Sequence, residues 1–270
     1  MTAMDKLNIE ARKWILKSTT AAGSGHPGGS LSCIDILLAL YGDVLKHDPR
    51  NPKDPGRDRF ILSKGHGAPA LYVTLGLFGY YPVQDVMSLR KMGSPFQGHP
   101  DIRFLPLLEA STGSLGQGIS LGIGTALAAR LDGRKCHTYV LVGDGECQEG
   151  QTWEAALFAG VHKLDGLTVI VDINGYQLDD ETKKILDMEP WAAKWEAFRF
   201  KTYPCDGHDP AAVKKALLLA RDDQAPSVVL ARTVKGKGIS FMENNNDYHG
   251  KALTPPQLEE ALKELEAAHV

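Results

Sequence analysis

The sequence predicts an α/β fold in which a parallel sheet is flanked by helices on both faces. Three observations predict it. Segments 137–142 (HTYVLV), 167–173 (LTVIVDI) and 227–233 (SVVLART) are near-continuous apolar runs of strand length, the pattern of strands buried on both faces. Helical patterns at 151–162 and 210–222 alternate with them, as in βαβ units. The chain has 270 residues, 43% of them hydrophobic, enough for a substantial core. With no internal repeat, low-complexity segment or long linker, residues 1–270 are expected to form one domain.

The first half reads as helices joined by glycine-rich loops. In segment 4–22, Leu7, Ala11, Trp14, Ile15 and Ser18 recur at helical spacing. Segments 31–45, 68–80 and 84–93 follow, each closed by glycine or a charged turn. Segment 115–133 is a helix with Gly118, Gly122 and Ala126 along one side, a face suited to close packing. The strands at 137–142 and 167–173 enclose the helix at 151–162. A strand at 198–203 then leads to the helix at 210–222, with Asp209 as N-cap and Pro210 at the first helical position. After the strand at 227–233, the tail 254–270 is an amphipathic helix. Thr254 and Gln257 have capping-box spacing, and Leu258, Leu262 and Leu265 form its apolar stripe.

Charge excludes some functions. Thirty basic against 33 acidic residues leave a net charge of −3 without blocks of one sign, which argues against nucleic-acid binding as the main task. No apolar run approaches the roughly 18 residues of a membrane span. The start, MTAMDKLNIEARKW, lacks the basic and apolar regions of a secretion signal. Cys33, Cys136, Cys147 and Cys205 lie far apart with no CxxC. That fits neither a zinc site nor a disulfide framework, and a cytoplasmic setting is expected.

Two strand ends carry the first functional signal. In open parallel sheets, ligands bind beyond the carboxyl ends of the strands. The second half places Asp144 at one such end, in Gly143-Asp144-Gly145, and Asn174 at the next. A dinucleotide fingerprint would need a glycine where Gln148 stands, and there is no GxxxxGK[ST] phosphate loop. Asp144 beside a phosphate would repel it unless a cation lay between them. Mg²⁺ commonly takes one or two protein oxygens together with phosphate oxygens and water. Asp144, Asn174 and one backbone carbonyl just beyond Asn174 would make such a protein share. The structural alternative is a helix cap at Asp144 and an Asx turn at Asn174.

Histidines carry the second. Four of the nine follow glycine: His26, His66, His99 and His208. Three of these, His26, His66 and His99, lie in loops of the helical half, where core packing explains them poorly. Imidazole can donate to phosphate or to hydroxyls and can move protons near neutral pH. Lys64 and Lys235 (in TVKGKG) add the positive charge that a diphosphate needs, although KGKG also reads as a solvated loop. His208 is expected to be structural, because its loop only opens the next helix.

In order along residues 5–253, SGHPGGSLS, DRFILSKGHGAPALY, GHPD, STGSLGQG, GDGECQEG, DINGYQ and NDYHGK resemble the N-terminal portion of transketolase. Gln148-Glu149-Gly150 favours transketolase over the related deoxyxylulose-phosphate synthases. The resemblance implies a thiamine-diphosphate-binding fold and ketol transfer from a ketose phosphate to an aldose phosphate. It implies Mg²⁺, or a similar cation such as Ca²⁺ or Mn²⁺, on Asp144, Asn174 and the carbonyl of Tyr176. Gly145, His66, Lys64 and Lys235 would meet the diphosphate. Gly113, Ser114 and Leu115 would approach the cofactor through the backbone, and Leu178 would lie near its thiazolium ring. His26, His99 and His249 would face the donor sugar, and Glu149 would sit at a subunit contact in a chain of carboxylates between two active sites.

Gly29 and Tyr248 depart from residues common in the family, but neither is a proposed ligand. A complete transketolase is more than twice as long. The resemblance therefore implies a split enzyme, whose partner subunit carries the pyrimidine-binding and C-terminal domains in an α₂β₂ assembly. Two other readings stand beside it: the same subunit serving a different sugar, and a non-catalytic relative. Loss of Asp144, Asn174 or the histidines would have signalled the latter, and all are present.

Overall fold

A computed structural model describes residues 2–267. Five strands form one parallel sheet in the order β1-β2-β3-β5-β4. They are β1 (Arg59–Leu62), β2 (Thr138–Gly143), β3 (Leu167–Ile173), β4 (Lys201–Asp206) and β5 (Ser227–Arg232). Every residue of β2 and β3 is buried, as their unbroken apolar sequence requires. Alternate side chains feed two cores: Tyr139 and Leu141 face one, Val140 and Val142 the other.

The first core is covered by α1 (Ala3–Ala22), α2 (Pro27–Ala39), α3 (Ala68–Leu77), α8 (Pro210–Asp222) and α9 (Pro255–Ala267). Helices α4 (Gln117–Leu131), α5 (Gly150–Val161) and α7 (Trp191–Ala197) cover the second. A single turn, α6 (Thr182–Ile185), follows β3. The small-residue face of α4 lies directly on the sheet. A Cβ at Gly122 would come within 2.4 Å of a Val140 methyl, and one at Gly118 within 2.3 Å of the Ser63 hydroxyl oxygen.

Several boundaries differ from expectation, each for a local reason. Strand β1 was hidden in the helical half, because its four residues run straight into the next loop. The strand expected at 198–203 lies at 201–206; Phe198 and Phe200 instead pack on Trp153 and Trp195, with centroids 5.4 and 5.0 Å away. The helix expected at 84–93 is only a 3₁₀ turn over Val83–Ser88. Beyond it Arg90 turns left-handed (φ 58°) and its N–H bonds the Phe96 carbonyl. The helix expected at 31–45 starts earlier, at Pro27, and ends in a π-helical turn, Leu40–Val44.

The caps were foreseen more closely. Asp209 accepts from the N–H groups of Ala211 and Ala212, and Pro210 opens α8. At α9, Thr254 donates its N–H and hydroxyl to Gln257, which is one half of the expected capping box. Ala261 and Leu265 are buried, with Leu258 and Leu262 half-buried beside them. The last three residues of the expected tail helix, 268–270, lie outside the described residues. Among the described residues, no helix is long and apolar enough to cross a membrane.

Candidate active site

β2 and β3 are direct neighbours, with Gly143 opposite Asp172, so Asp144 and Asn174 emerge side by side at the carboxyl edge. The Asp144 carboxylate is 1% exposed. It accepts from the N–H of Gly145 at 2.8 Å and of Gly175 at 2.6 Å, tying the two strand-end turns together. Both features of the structural alternative are present: Asp144 caps the 3₁₀ turn Gly145–Gln148, and Asn174 makes an Asx turn, its side-chain oxygen accepting from Tyr176 N–H at 3.1 Å. Its amide nitrogen donates to Asp172 at 3.1 Å. Burial, followed by the nearby Asp172 charge, pushes the Asp144 carboxyl up to about 7, against the pull of the two N–H groups and Lys64.

Behind these residues sits a charged pair that sequence reading missed. Lys64, two residues beyond β1, donates to Asp172 of β3 and to the Gly29 carbonyl, and both side chains are fully buried. Asp172 also accepts from Ser32 and Thr233. Burial alone would lower the Lys64 ammonium, but its neighbours, Asp172 foremost, together outweigh burial and hold the ammonium above its ordinary value. The same pairing outweighs burial for Asp172, whose carboxyl is held low. Asp172 was visible as the one charge in an apolar strand, yet its partner lies 108 residues away.

Four histidines converge over this floor. His26 opens α2, His66 sits in the turn between β1 and α3, and His99 and His249 come from loops. The ring of His26 lies 5.6 Å from His66, 5.8 Å from His99 and 5.6 Å from His249. His66 and His249 are 5.3 Å apart. Burial, and then neighbouring cations, lower all four: His26 to about 4, His249 to about 3, His66 well below its usual range, and His99 in the same direction. At neutral pH these rings are uncharged donors and acceptors. His26 Nδ1 is buried without a hydrogen-bond partner among the described residues.

These groups line one cavity of about 420 Å³, together with Gly113, Leu115, Gly145, Glu149, Tyr176 and Leu178. Lys235 reaches its wall, donating to Asn246 at 2.7 Å with its ammonium 2.8 Å from His249 Nδ1. Burial and then Lys64 lower the Lys235 ammonium to about 8. Gly113 is a glycine for a steric reason. Its φ of +144° is unfavourable for side chains, and a Cβ there would sit 3.0 Å from the His99 ring. A Cβ at Gly65 would likewise strike Gly113 N at 2.8 Å.

Ser114 does not line this cavity; it faces an adjoining one of about 380 Å³ with His99 and Gln117. Glu149 is exposed at the start of α5. Leu178 is 66% exposed, and its carbonyl accepts from Asn246. Sequence reading also missed Glu146, which lines the cavity and accepts from Ser63 and the N–H groups of Gly116 and Gly143. A second acidic residue directly after Gly143-Asp144-Gly145 was its only sign.

Comparisons with known proteins point to one family. Residues 5–267 match the family model described as transketolase, thiamine diphosphate binding domain. The 6-deoxy-6-sulfo-D-fructose transketolase subunit SqwG of Clostridium sp. (strain MSTE9) is 43% identical over 94% of this chain and 93% of its own length. An apulose-4-phosphate transketolase subunit of Actinobacillus succinogenes is 41% identical, over 94% and 92%. The solved transketolase of Campylobacter jejuni superposes with a TM-score of 0.90 at 31% identity, covering 98% of this chain but 43% of that one.

Proposed function

The chain belongs to the transketolase family through its thiamine-diphosphate-binding domain, and from that premise we propose that it is the diphosphate-binding subunit of a two-subunit transketolase. The reaction is transfer of a two-carbon ketol unit from a ketose phosphate to an aldose phosphate. Residues 1–270 serve as one diphosphate-binding domain, and a second subunit brings the pyrimidine-binding and C-terminal domains in an α₂β₂ assembly. The observation that carries the reading is the convergence of Asp144, Asn174, Lys64 and four histidines on one cavity at the carboxyl edge of the sheet, with Lys235 bonded behind His249. Its similarity to relatives that are themselves subunits, matched over 93% and 92% of their length, supports the split arrangement.

The residues fit a divalent cation. Asp144 is a buried carboxylate whose neighbouring ammonium, Lys64, is committed to Asp172, and the side-chain oxygen of Asn174 stands beside it at the strand ends, the kind of ligand a hard ion such as Mg²⁺ prefers. Asp144, Asn174 and the Tyr176 carbonyl would hold it. Lys235, His66 and the Gly145 backbone would meet the diphosphate, Lys64 adding its charge from behind them where Asp172 and Gly29 hold it, with Gly113, Ser114 and Leu115 approaching through the backbone and Leu178 beside the thiazolium. When bound, thiamine diphosphate supplies the nucleophilic carbon and the electron sink that ketol transfer needs. His26, His99 and His249 orient sugar hydroxyls and move protons, which their neutral state allows. Glu149 serves the contact between subunits.

A second reading changes only the sugar. Two similar subunits are named for 6-deoxy-6-sulfo-D-fructose and apulose-4-phosphate, so the donor here could be a comparable specialised ketose. One experiment tests both. The chain is purified alone and with its candidate partner, ketol transfer is assayed on a panel of ketoses, and mass is read by light scattering. The lone chain should be inactive and the pair active at the α₂β₂ mass. Full activity from the lone chain would refute the split-subunit reading.

A further inference from the structure

His208 lines none of the catalytic cavity, yet both of its ring nitrogens are engaged. Nε2 accepts the Val234 N–H at 2.8 Å, so the ring proton sits on Nδ1, 2.6 Å from an oxygen of Asp35. Asp35 is 2% exposed within α2 and also accepts from Arg12 at 2.8 Å and from Asn8 of α1. The imidazole is therefore held by two packed helices, with its acceptor turned toward the loop after β5. That loop is anchored at several points, one of them on Lys235 itself, whose carbonyl accepts the Asn244 N–H at 2.9 Å. Thr233 bonds Asp172, Val234 bonds His208, and Gly236 N–H bonds the Gly28 carbonyl at 3.0 Å. Lys235 stands between Val234 and Gly236, so His208 holds the flank on its N-terminal side.

We propose that His208 is a positioning residue for Lys235. It fixes the backbone from which the Lys235 ammonium reaches Asn246, His249 and the cavity. A long, flexible lysine stem loses much freedom when it is ordered, so a loop held in place in advance leaves less of that cost to be met on binding. The chain of contacts runs from Arg12 through Asp35, His208 and Val234 to Lys235 and His249. It joins the α1–α2 pair to the cavity wall. The inference rests on the reading of Lys235 as a group that meets the cofactor's diphosphate.

The test is a double-mutant cycle on thiamine diphosphate binding, measured by calorimetry with Mg²⁺ on the full chain in its complex. His208→Asn keeps a donor for Asp35, but its amide oxygen is too short to take the place of Nε2 and accept from Val234. It should weaken binding about tenfold, the scale of one lost acceptor beside a half-buried N–H. His208→Gln, whose carbonyl can reach Val234, should recover most of that loss. In a Lys235→Ala background, His208→Asn should cost nothing further, because the group it positions is gone. Binding by His208→Asn within about twofold of wild type, or penalties that multiply in the double variant, would overturn the inference alone. A His208→Asn chain melting far below wild type would assign the residue a purely structural role instead. If Lys235→Ala itself binds normally, the cofactor reading of the site fails, and this inference with it.

Discussion

The ammonium of Lys235 lies 2.8 Å from Nδ1 of His249 and donates to it, which settles how that imidazole presents itself. With Nδ1 as acceptor, the ring proton resides on Nε2. Burial and the Lys235 charge hold His249 down to about 3, so the ring stays neutral across the physiological range. His249 thus offers its cavity a hydrogen-bond donor that carries no charge.

His26, His99 and His249 should matter for turnover far more than for folding. Each replaced by alanine should lower kcat by about 10² to 10⁴, the usual range for a positioned proton-transfer group. Melting temperatures should hardly move, since the rings border a cavity rather than fill a core. Wild-type turnover in all three variants would reject the site as drawn.

Asp144→Ala or Asn174→Ala should abolish retention of thiamine diphosphate in the assembled enzyme while leaving the fold intact. Calorimetry with and without a chelator is the check. Equal affinity in wild type and variants under both conditions would remove the metal from the account.

His137 should make stability depend on pH. It is buried beside Thr168, its Nε2 2.8 Å from that hydroxyl oxygen, and burial lowers it to about 4. Because the folded value lies below the ordinary 6.5, protons favour the unfolded chain. The stabilisation is complete above about pH 6.5 and is lost as pH falls toward about 4, a change on the order of 3 kcal/mol. His137→Gln should flatten the fall of melting temperature across that window, and an unchanged slope would show that other groups cause it.

Gly122→Ala should destabilise the protein by about 1–3 kcal/mol, as overpacking does. The added methyl would meet Val140 at 2.4 Å between α4 and the sheet. Denaturant unfolding measures the loss, and a companion Val140→Ala substitution should restore part of it.

Legibility in the sequence followed distance along the chain. Asp144 and Asn174 could be paired because each ends an apolar strand and one helix joins those strands, so register was nearly forced. His26, His66 and His99 stood out because glycine precedes each. Lys64 was noticed as a charge, but its pairing with Asp172 depends on β1 lying two strands away, and four residues of strand gave no periodicity to read. His208 was expected to be structural because its loop only opens the next helix. Its partners, Asp35 and Val234, come from a helix and a loop that only the folded chain brings together.

The position of β4 outside β5 limits how this molecule can assemble. Pro204 sits in the middle of that outermost strand, and Lys201 is exposed at its start. Proline has no N–H to offer an incoming strand, and a lysine at the margin resists dehydration. Ribbon-to-ribbon growth of the sheet across this margin is therefore disfavoured. Companions that join the protein from that side must meet it through side chains rather than through a continued backbone ladder.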